Sequence, residues 1–365
     1  MSRQLLDKIH KWLGLFGLFF LLIQAVTGVL IVNGARTQQW LDPHSYRLDQ
    51  PASVQLPLER YTSAAISRNG QAVASLVLPE SATSPVLAVV VPQERALPEM
   101  VSIHPATGKV ISRNPVLADP VVLANLLHGE LGAGKAGKAL LMVTGLSLVV
   151  LSITGFLRWW PGLGKVRRSL KLRWAGSVSA TLWQWHGVIG AVLAILFVWL
   201  GLTGALLVGR PFLEPLVNQG NRSADFPELG GLSGAAVQVP AKAISMDDAF
   251  AVAKQAMGDD ELRSVLPLSR LSPQHTFVFA DHQGRMGVVR VSAAGQISER
   301  YRPADMPAAN RALDWMLPLH RGSMLPEWLR TVYYVLASGL VLLASSGLVI
   351  NRKKARLRKR PARAD

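Results

Sequence analysis

Four long apolar stretches divide the chain. They cover residues 12–32, 139–157, 187–208 and 331–350, and none of them contains a charged residue. A helix needs about 20 apolar residues to cross the hydrocarbon core of a bilayer, and a helix satisfies all of its own backbone polar groups there. The pattern therefore predicts four transmembrane helices.

Positive charge is concentrated beside these stretches. The formal net charge is +16, and Lys and Arg cluster in residues 3–11, 158–173 and 352–363. Basic residues flank membrane helices on the cytoplasmic side, whereas a nucleic-acid-binding protein presents them as a patch on a folded surface. We therefore expect a multi-pass protein of the bacterial inner (cytoplasmic) membrane, in contact with the lipid bilayer and with no nucleic-acid partner. Both termini are cytoplasmic in this prediction, and two larger segments are periplasmic.

A repeat relates the two halves of the chain. His10 and His186 each precede a Thr-Gly pair by 17 residues, and His128 and His320 each precede a Thr-Gly or Ser-Gly pair by 26 residues. Each half reads as a helix leading out, a periplasmic segment and a helix leading back, which predicts a duplicated two-helix unit. The predicted segments are transmembrane helix 1 at 8–33, a periplasmic domain at 34–119, an interfacial helix and transmembrane helix 2 at 120–158, a basic cytoplasmic loop at 159–181, transmembrane helix 3 at 182–209, a second periplasmic domain at 210–310, an interfacial helix and transmembrane helix 4 at 311–350, and a basic cytoplasmic tail at 351–365.

The two periplasmic segments have the pattern of small α+β domains. In the second, apolar spacing predicts a helix at 245–257, followed by strands at 276–280 and 286–291 with a polar turn between them. In the first, residues 101–111 read as strand, turn and strand, and a helix is indicated near 56–66. We expect one such domain in each half.

The repeat pairs four of the eight histidines. His10 and His186 begin the first and third helices at the cytoplasmic side, while His128 and His320 precede the second and fourth helices at the outer side. Two equivalent imidazoles facing each other across a two-fold axis suit a planar ligand, and neutral imidazole on both faces of an iron is bis-histidine haem ligation. The sequence therefore predicts two haem b groups with these four histidines as iron ligands.

The absence of cysteine limits the alternatives. Neither a thiolate zinc site nor a covalently attached c-type haem can form without cysteine, so the predicted haem is non-covalent. Zinc is the main competing ligand, although two histidines without a nearby Cys, Asp or Glu make a poor zinc site. The alternative that these histidines are only polar residues at helix ends does not account for two symmetry-matched pairs.

Glycines follow the histidines at fixed intervals. Gly28 lies 18 residues after His10, which is five helical turns on the same face and about 27 Å along the helix. We expect such glycines to leave flat clearance for a porphyrin, while close helix packing is the alternative role. Gln24 lies near the same face and is placed to donate a hydrogen bond within the core. The glycines predicted to contact the cofactor are Gly14, Gly28, Gly155, Gly190, Gly204 and Gly347.

The other four histidines lack partners in the repeat. They are His44, His104, His275 and His282, all in polar, turn-like surroundings. We expect them to be exposed, with a role in docking a substrate as the less favoured alternative.

Short motifs surround the paired histidines, namely Lys8-x-His10-x-Trp12, His128-Gly129 and Trp185-His186. They resemble the PepSY-associated transmembrane-helix family, and residues 101–111 (VSIHPATGKVI) and 245–297 resemble PepSY domains. Within that family the chain is most similar to inner-membrane ferric-siderophore reductases of the FoxB type. The resemblance implies haem b and a periplasmic iron chelate as substrate. It departs at His104, which stands where PepSY hairpins often carry Asp, so no metal or substrate role is transferred to that residue.

Together these features predict a di-haem b transmembrane enzyme that reduces a periplasmic ferric siderophore to Fe(II) for iron uptake. The cytoplasmic loop and tail are too short for a nucleotide-binding fold, so electrons are expected from an external donor, either membrane quinol or a separate cytoplasmic reductase. No catalytic residue is assigned. Two alternatives stay open: a non-enzymatic PepSY-type envelope sensor, binding module or transporter subunit, and a haem electron carrier to a protein partner.

Overall fold

A computed structural model of the chain describes residues 2–92, 97–217, 240 and 242–358. The chain divides into two compact units. The helical unit comprises Met1–Val32, Asn125–Pro211 and Leu319–Asp365, and the sheet unit comprises Asn33–Ala124 and Phe212–Pro318. Residues 218–239 and 241 of the second predicted periplasmic segment, and residues 359–365 of the basic tail, lie outside the described residues.

The helices and strands are numbered in chain order. The helices are α1 (Arg3–Val32), α2 (Gly34–Leu41), α3 (Pro43–Tyr46), α4 (Leu58–Ala65), α5 (Pro120–Glu130), α6 (Gly134–Trp159), α7 (Val166–Ser169), α8 (Val178–Val217), α9 (Met246–Met257), α10 (Ala308–Asp314), α11 (Met316–Arg321) and α12 (Thr331–Arg358). The strands are β1 (Ala72–Val77), β2 (Val86–Val91), β3 (Glu99–Ile103), β4 (Val110–Pro115), β5 (Glu261–Leu266), β6 (Gln274–Ala280), β7 (Met286–Ser292) and β8 (Ile297–Tyr301).

Four of these helices, α1, α6, α8 and α12, are long and apolar enough to cross a membrane. They contain the four apolar stretches of the sequence, which confirms the prediction of four candidate membrane helices. Each contributes one buried residue to a central apolar cluster made of Leu21, Leu148, Phe197 and Leu336. Large apolar side chains on the opposite faces are exposed, among them Phe19 and Ile195, as is expected of surfaces that contact lipid.

The backbones of α6 and α8 touch at a pair of glycines. A Cβ atom on Gly145 would lie 2.8 Å from the carbonyl oxygen of Gly201, and a Cβ on Gly201 would lie 2.7 Å from that of Gly145. Both distances are shorter than a Cβ tolerates, so this crossing requires glycine on both helices, as is common where membrane helices pack closely.

The strands of the sheet unit form one eight-stranded antiparallel sheet in the order β4-β3-β2-β1-β5-β6-β7-β8. The two halves of the chain contribute four strands each, and they join where β1 pairs with β5 through Leu76↔Val265 and Val77↔Ser264. The expectation of two separate domains at 34–119 and 210–310 is therefore corrected to one shared sheet. The pairing is favourable because a free edge strand leaves backbone N–H and C=O groups without partners.

Most elements predicted for the sheet unit are present. The predicted helices correspond to α4 and α9, and the predicted strands correspond to β3, β4, β6 and β7. Both helices pack against the sheet. The core between them is formed by fully buried side chains that include Tyr61 of α4, Met257 of α9, and Leu76 and Phe277 of the sheet.

The N-termini of α4 and α9 cap each other. The Asp247 carboxylate accepts hydrogen bonds from the backbone N–H groups of Leu58 (2.6 Å) and Glu59 (3.2 Å), and the Glu59 carboxylate accepts one from the N–H of Met246 (2.8 Å). The first N–H groups of a helix have no partner within the helix, and carboxylates are favourable there. The exchange therefore ties the two halves of the sheet unit together.

Asp247→Ala is expected to weaken this connection by about 1–2 kcal/mol, because two N–H groups at the start of α4 lose their acceptor. Hydrogen exchange of the α4 and α9 backbone in the full-length protein should become faster by roughly tenfold. Asp259→Ala is the matched control, since Asp259 is exposed. Equal exchange rates in the two variants would show that the reciprocal caps contribute nothing.

The four histidines outside the sequence repeat differ in their surroundings. His44 and His282 are exposed as predicted, and His104 is half-buried. The Nδ1 atom of His104 accepts hydrogen bonds from the N–H groups of Ala106 and Thr107, so its ring stabilises the β3–β4 turn. The prediction for His275 is wrong: this residue is buried with 5% exposure. Its Nδ1 accepts from the Leu268 N–H at 3.1 Å.

The stability of the sheet unit should depend on pH through His275. Burial lowers the pKa of His275 below its usual 6.5. The unfolded chain therefore binds the proton more tightly than the folded chain, and the stabilisation present above about pH 6.5 is lost as the pH falls below it. His275→Asn keeps an acceptor for Leu268 and removes the titrating ring. After correction for intrinsic exchange rates, hydrogen exchange in β5 and β6 should become faster when the pH is lowered from 7.5 to 5.5. This acceleration should be larger in the wild type than in the His275→Asn variant. An equal acceleration in both proteins would contradict the assignment to His275.

Candidate functional site

The structure brings the four repeated histidines together as two pairs within the helical unit. The ring centres of His10 and His186 are 6.2 Å apart, and those of His128 and His320 are also 6.2 Å apart. His10 lies on α1 and His186 on α8, while His128 lies on α5 and His320 on α11. These are the two pairings that the repeat predicts.

Every one of the four rings is held by the same kind of partner. Its Nδ1 atom contacts the hydroxyl of the Thr-Gly or Ser-Gly pair on another helix. The contacts are His10 with Thr154 (3.0 Å), His128 with Thr27 (2.9 Å), His186 with Ser346 (2.9 Å) and His320 with Thr203 (3.0 Å). Each contact lies within one half of the chain, whereas each histidine pair joins the two halves.

The hydroxyl hydrogen bonds determine which ring nitrogen carries the proton. Each hydroxyl also lies 2.6–2.8 Å from a backbone carbonyl four residues earlier in its own helix, on Ile23, Val150, Trp199 and Leu342. A hydroxyl has one proton, and a carbonyl accepts only, so that proton goes to the carbonyl. The hydroxyl must then accept from Nδ1–H of a neutral ring, which leaves a free lone pair on Nε2. In metal sites, a hydrogen bond from the second ring nitrogen to a neighbouring acceptor orients a ligating histidine in the same way.

The spacing within each pair suits a metal ion held between two imidazoles. With a metal–nitrogen bond of about 2.0 Å and a ring centre about 1.1 Å behind each nitrogen, two ligand rings lie about 6 Å apart. Both pairs have this separation. Within the described residues no group of three or more His, Cys, Asp or Glu side chains could hold a metal ion, so two-histidine ligation completed by a porphyrin fits the donors present better than zinc does.

Four of the predicted glycines contact the histidine rings. A Cβ atom would lie 2.9 Å from His320 Cε1 at Gly204, 3.0 Å from His10 Cε1 at Gly155, 3.4 Å from His128 Cε1 at Gly28 and 3.5 Å from His186 Cε1 at Gly347. At these four positions the neighbour that each glycine accommodates is an imidazole, and clearance for a porphyrin stays a prediction. The hydroxyl and the glycine that follows it together hold one edge of the ring.

The other two predicted glycines line a cavity of about 1540 Å³ beside the His10–His186 pair. A Cβ on Gly14 or Gly190 would make an ordinary van der Waals contact with a single leucine methyl group, at 3.7 and 3.6 Å, so neither position is crowded. Leucine side chains of α1, α6 and α12 line its apolar part. The basic residues that also line it are Arg3, Lys8, Lys11, Arg158, Arg168 and Arg173. Apolar walls beside a histidine pair, together with basic residues in the lining, fit a flat apolar ring that carries anionic groups.

The His128–His320 pair lies outside the four membrane-length helices. Burial lowers the pKa of His128 to about 3 and the pKa of His320 to about 4. Both rings are therefore neutral at pH 7, which is the protonation state of a metal ligand. The end of α11 that carries His320 is held through the Leu319 carbonyl, which accepts hydrogen bonds from the indole N–H of Trp199 and the hydroxyl of Tyr333, both at 3.4 Å.

The role of the four hydroxyls is not apparent from the sequence. Thr27, Thr154, Thr203 and Ser346 obey the same repeat as the histidines, and that regularity was the available signal. Their regular spacing marks them as repeated, although it does not reveal that each contacts a histidine on a different helix.

No curated protein matches the chain. The family model for the PepSY-associated TM region matches residues 8–354, which is nearly the entire chain and includes all four paired histidines. The protein therefore belongs to the PepSY-associated TM region family.

Proposed function

We propose that this protein is a di-haem b electron-transfer enzyme that reduces a ferric siderophore, or a similar ferric chelate, at the periplasmic face of the bacterial inner membrane. The observation that carries the proposal is that two imidazole pairs have the same 6.2 Å separation and the same hydroxyl partners. Duplication of a two-helix unit accounts for this regularity.

Two sets of residues would hold the cofactors. His10 and His186 would ligate one haem iron through Nε2, and His128 and His320 the other. When bound, two b-type haems would supply a one-electron carrier near each end of the helical unit. The protein's contribution is to keep the rings neutral and correctly oriented, and to surround the space between the pairs with the apolar cluster of Leu21, Leu148, Phe197 and Leu336.

The distribution of charge supports an orientation. Basic residues line the cavity at the His10–His186 pair, and cytoplasmic flanks are the basic ones in membrane proteins. We therefore assign this pair to the cytoplasmic side, where an external quinol or reductase delivers electrons, and the His128–His320 pair to the periplasmic side. His10 and Gly28 are 18 residues apart on α1, so the two sites are separated by about 27 Å along that helix, nearly the thickness of the hydrocarbon core.

Mixing dithionite-reduced protein with a ferric hydroxamate siderophore tests the proposal. The reduced haem bands should disappear as one electron per iron passes from Fe(II) haem to the chelated Fe(III), and the released Fe(II) should be trapped by a ferrous chelator. The gallium(III) complex of the same siderophore is the matched control, because gallium(III) has the same charge and cannot be reduced. Unchanged haem bands with the ferric complex would exclude ferric-chelate reduction. Colourless purified protein would instead favour a sensor or binding module.

A further inference from the structure

The four hydroxyls that orient the histidines have a second common neighbour. Each also lies near the backbone carbonyl of the residue three positions earlier in its helix. These contacts are Thr27 with Gln24 (3.4 Å), Thr154 with Leu151 (3.2 Å), Thr203 with Leu200 (3.3 Å) and Ser346 with Leu343 (3.2 Å). The structure thus defines four equivalent positions, each about one turn before the hydroxyl in its helix.

Three of these positions carry leucine and the fourth carries glutamine. The leucines at 151, 200 and 343 all pack against the central apolar cluster. The side-chain Nε2 atom of Gln24 is buried and makes no hydrogen bond to any other described residue. A buried donor without a partner is unfavourable, and glutamine is the exception among four matched positions. A hydrogen-bond acceptor bound in the functional protein accounts both for the unpaired amide and for the presence of glutamine at this position.

We propose that Gln24 donates a hydrogen bond to the haem held between His128 and His320 and makes the reduction potential of this site higher than that of the His10–His186 site. The inference rests on the proposed function. Gln24 lies one turn before Gly28, whose Cβ position is 3.4 Å from the His128 ring, so it is near this pair and about four turns from the level of His10.

The sign of the effect follows from the charge of the amide. The N–H groups carry partial positive charge, and in an apolar interior that charge acts over several ångströms without screening by water. Reduction adds an electron to the site, so a nearby donor stabilises the reduced form and raises the potential, as hydrogen bonds to redox centres do. The equivalent positions beside the His10–His186 pair are Leu151 and Leu343, which provide no such donor. Gln24 therefore makes electron transfer toward the His128–His320 site favourable.

A potentiometric titration of the purified full-length protein tests this inference. The wild type should show two one-electron waves, one for each site. The His10→Ala variant is expected to retain the His128–His320 site and the His320→Ala variant the His10–His186 site, so the two variants assign the waves. Gln24→Leu introduces the residue found at the three equivalent positions, so its packing is already represented in the protein. It should lower the midpoint potential of the His128–His320 site by about 59 mV, which corresponds to a tenfold change in the equilibrium constant for one electron. The other wave should not move.

Leu151→Gln is the reciprocal variant. It places an amide at the equivalent position beside His10, where it should raise the lower wave and reduce the difference between the two sites. If Gln24→Leu retains two haems and both waves stay in place, the inference is wrong, because the amide is then satisfied by something other than the haem, such as water. If the wild type binds no haem, the proposed function itself fails, and the two failures are therefore distinguishable.

Discussion

If the two pairs hold haem as proposed, His320→Ala is expected to reduce the haem content of the purified protein from two per chain to one. His128 would then be the one remaining residue to hold the iron at this site, and a single imidazole would bind haem more weakly than a facing pair. The His10–His186 pair contacts neither His320 nor Thr203, so its low-spin spectrum should persist. His10→Ala should give the converse result, with loss of the other haem.

His44→Ala is the control for this pair of variants, because His44 is exposed and belongs to neither site. It should retain both haems. Full haem content with unchanged low-spin spectra in His320→Ala and in His10→Ala would show that these residues are not the ligands. Loss of both haems together with normal membrane insertion would show that the two sites do not form independently.

Gly204→Ala is expected to weaken haem binding at the His128–His320 site by about tenfold or more. The new Cβ would lie 2.9 Å from His320 Cε1, so the ring must move, and overpacking of this kind costs about 1–3 kcal/mol. The displaced ring also loses its alignment with the Thr203 hydroxyl. Haem retention during dilution or competition with apomyoglobin measures the change, and a high-spin spectral component should accompany it.

The four equivalent glycines provide a graded series for the same prediction. Alanine at Gly155 (3.0 Å) should affect the His10–His186 site nearly as strongly, whereas alanine at Gly28 (3.4 Å) and Gly347 (3.5 Å) should have smaller effects. Gly129→Ala is the control, because no atom lies within 4 Å of its Cβ position. Equal effects at all four positions, or none at Gly204, would contradict the contact between glycine and imidazole.

The membrane helices and the histidine pairs could be predicted because their signals are strong and regular. An uncharged stretch of about 20 residues has few structural alternatives, and an exact repeat of His10 at His186 and of His128 at His320 identifies equivalent positions without any knowledge of contacts. The local strand and turn patterns at 101–111 and 276–291 were sufficient for β3, β4, β6 and β7 for the same reason.

Features that depend on long-range contacts were not predictable in this way. The pairing of β1 with β5 joins Leu76 to Val265, and local patterning contains no information about which edge strand meets which. The same limit applies to His275, whose polar neighbours in sequence suggest exposure although the fold buries its ring. The repeat identifies the glycines as a set, but the imidazole that approaches four of them comes from another helix, so local patterning contains no information about this contact.

The chemical role of the hydroxyls follows from their geometry and not from the sequence pattern. A Thr-Gly pair in a membrane helix usually indicates close helix packing. Here Thr154 gives its proton to the Val150 carbonyl and accepts from His10, so a backbone hydrogen bond determines the protonation of a ring on another helix. The same arrangement at all four positions is a stronger indication of ligand function than any single histidine.

A pyridine haemochrome assay on the purified wild-type protein, combined with its electron paramagnetic resonance spectrum, tests haem ligation by the two pairs. Two b-type haems per chain, both low-spin with bis-imidazole signals, are expected. Protein that takes up no haem even when the cofactor is supplied in excess, or haem that remains high-spin, would mean that the facing imidazoles do not ligate iron.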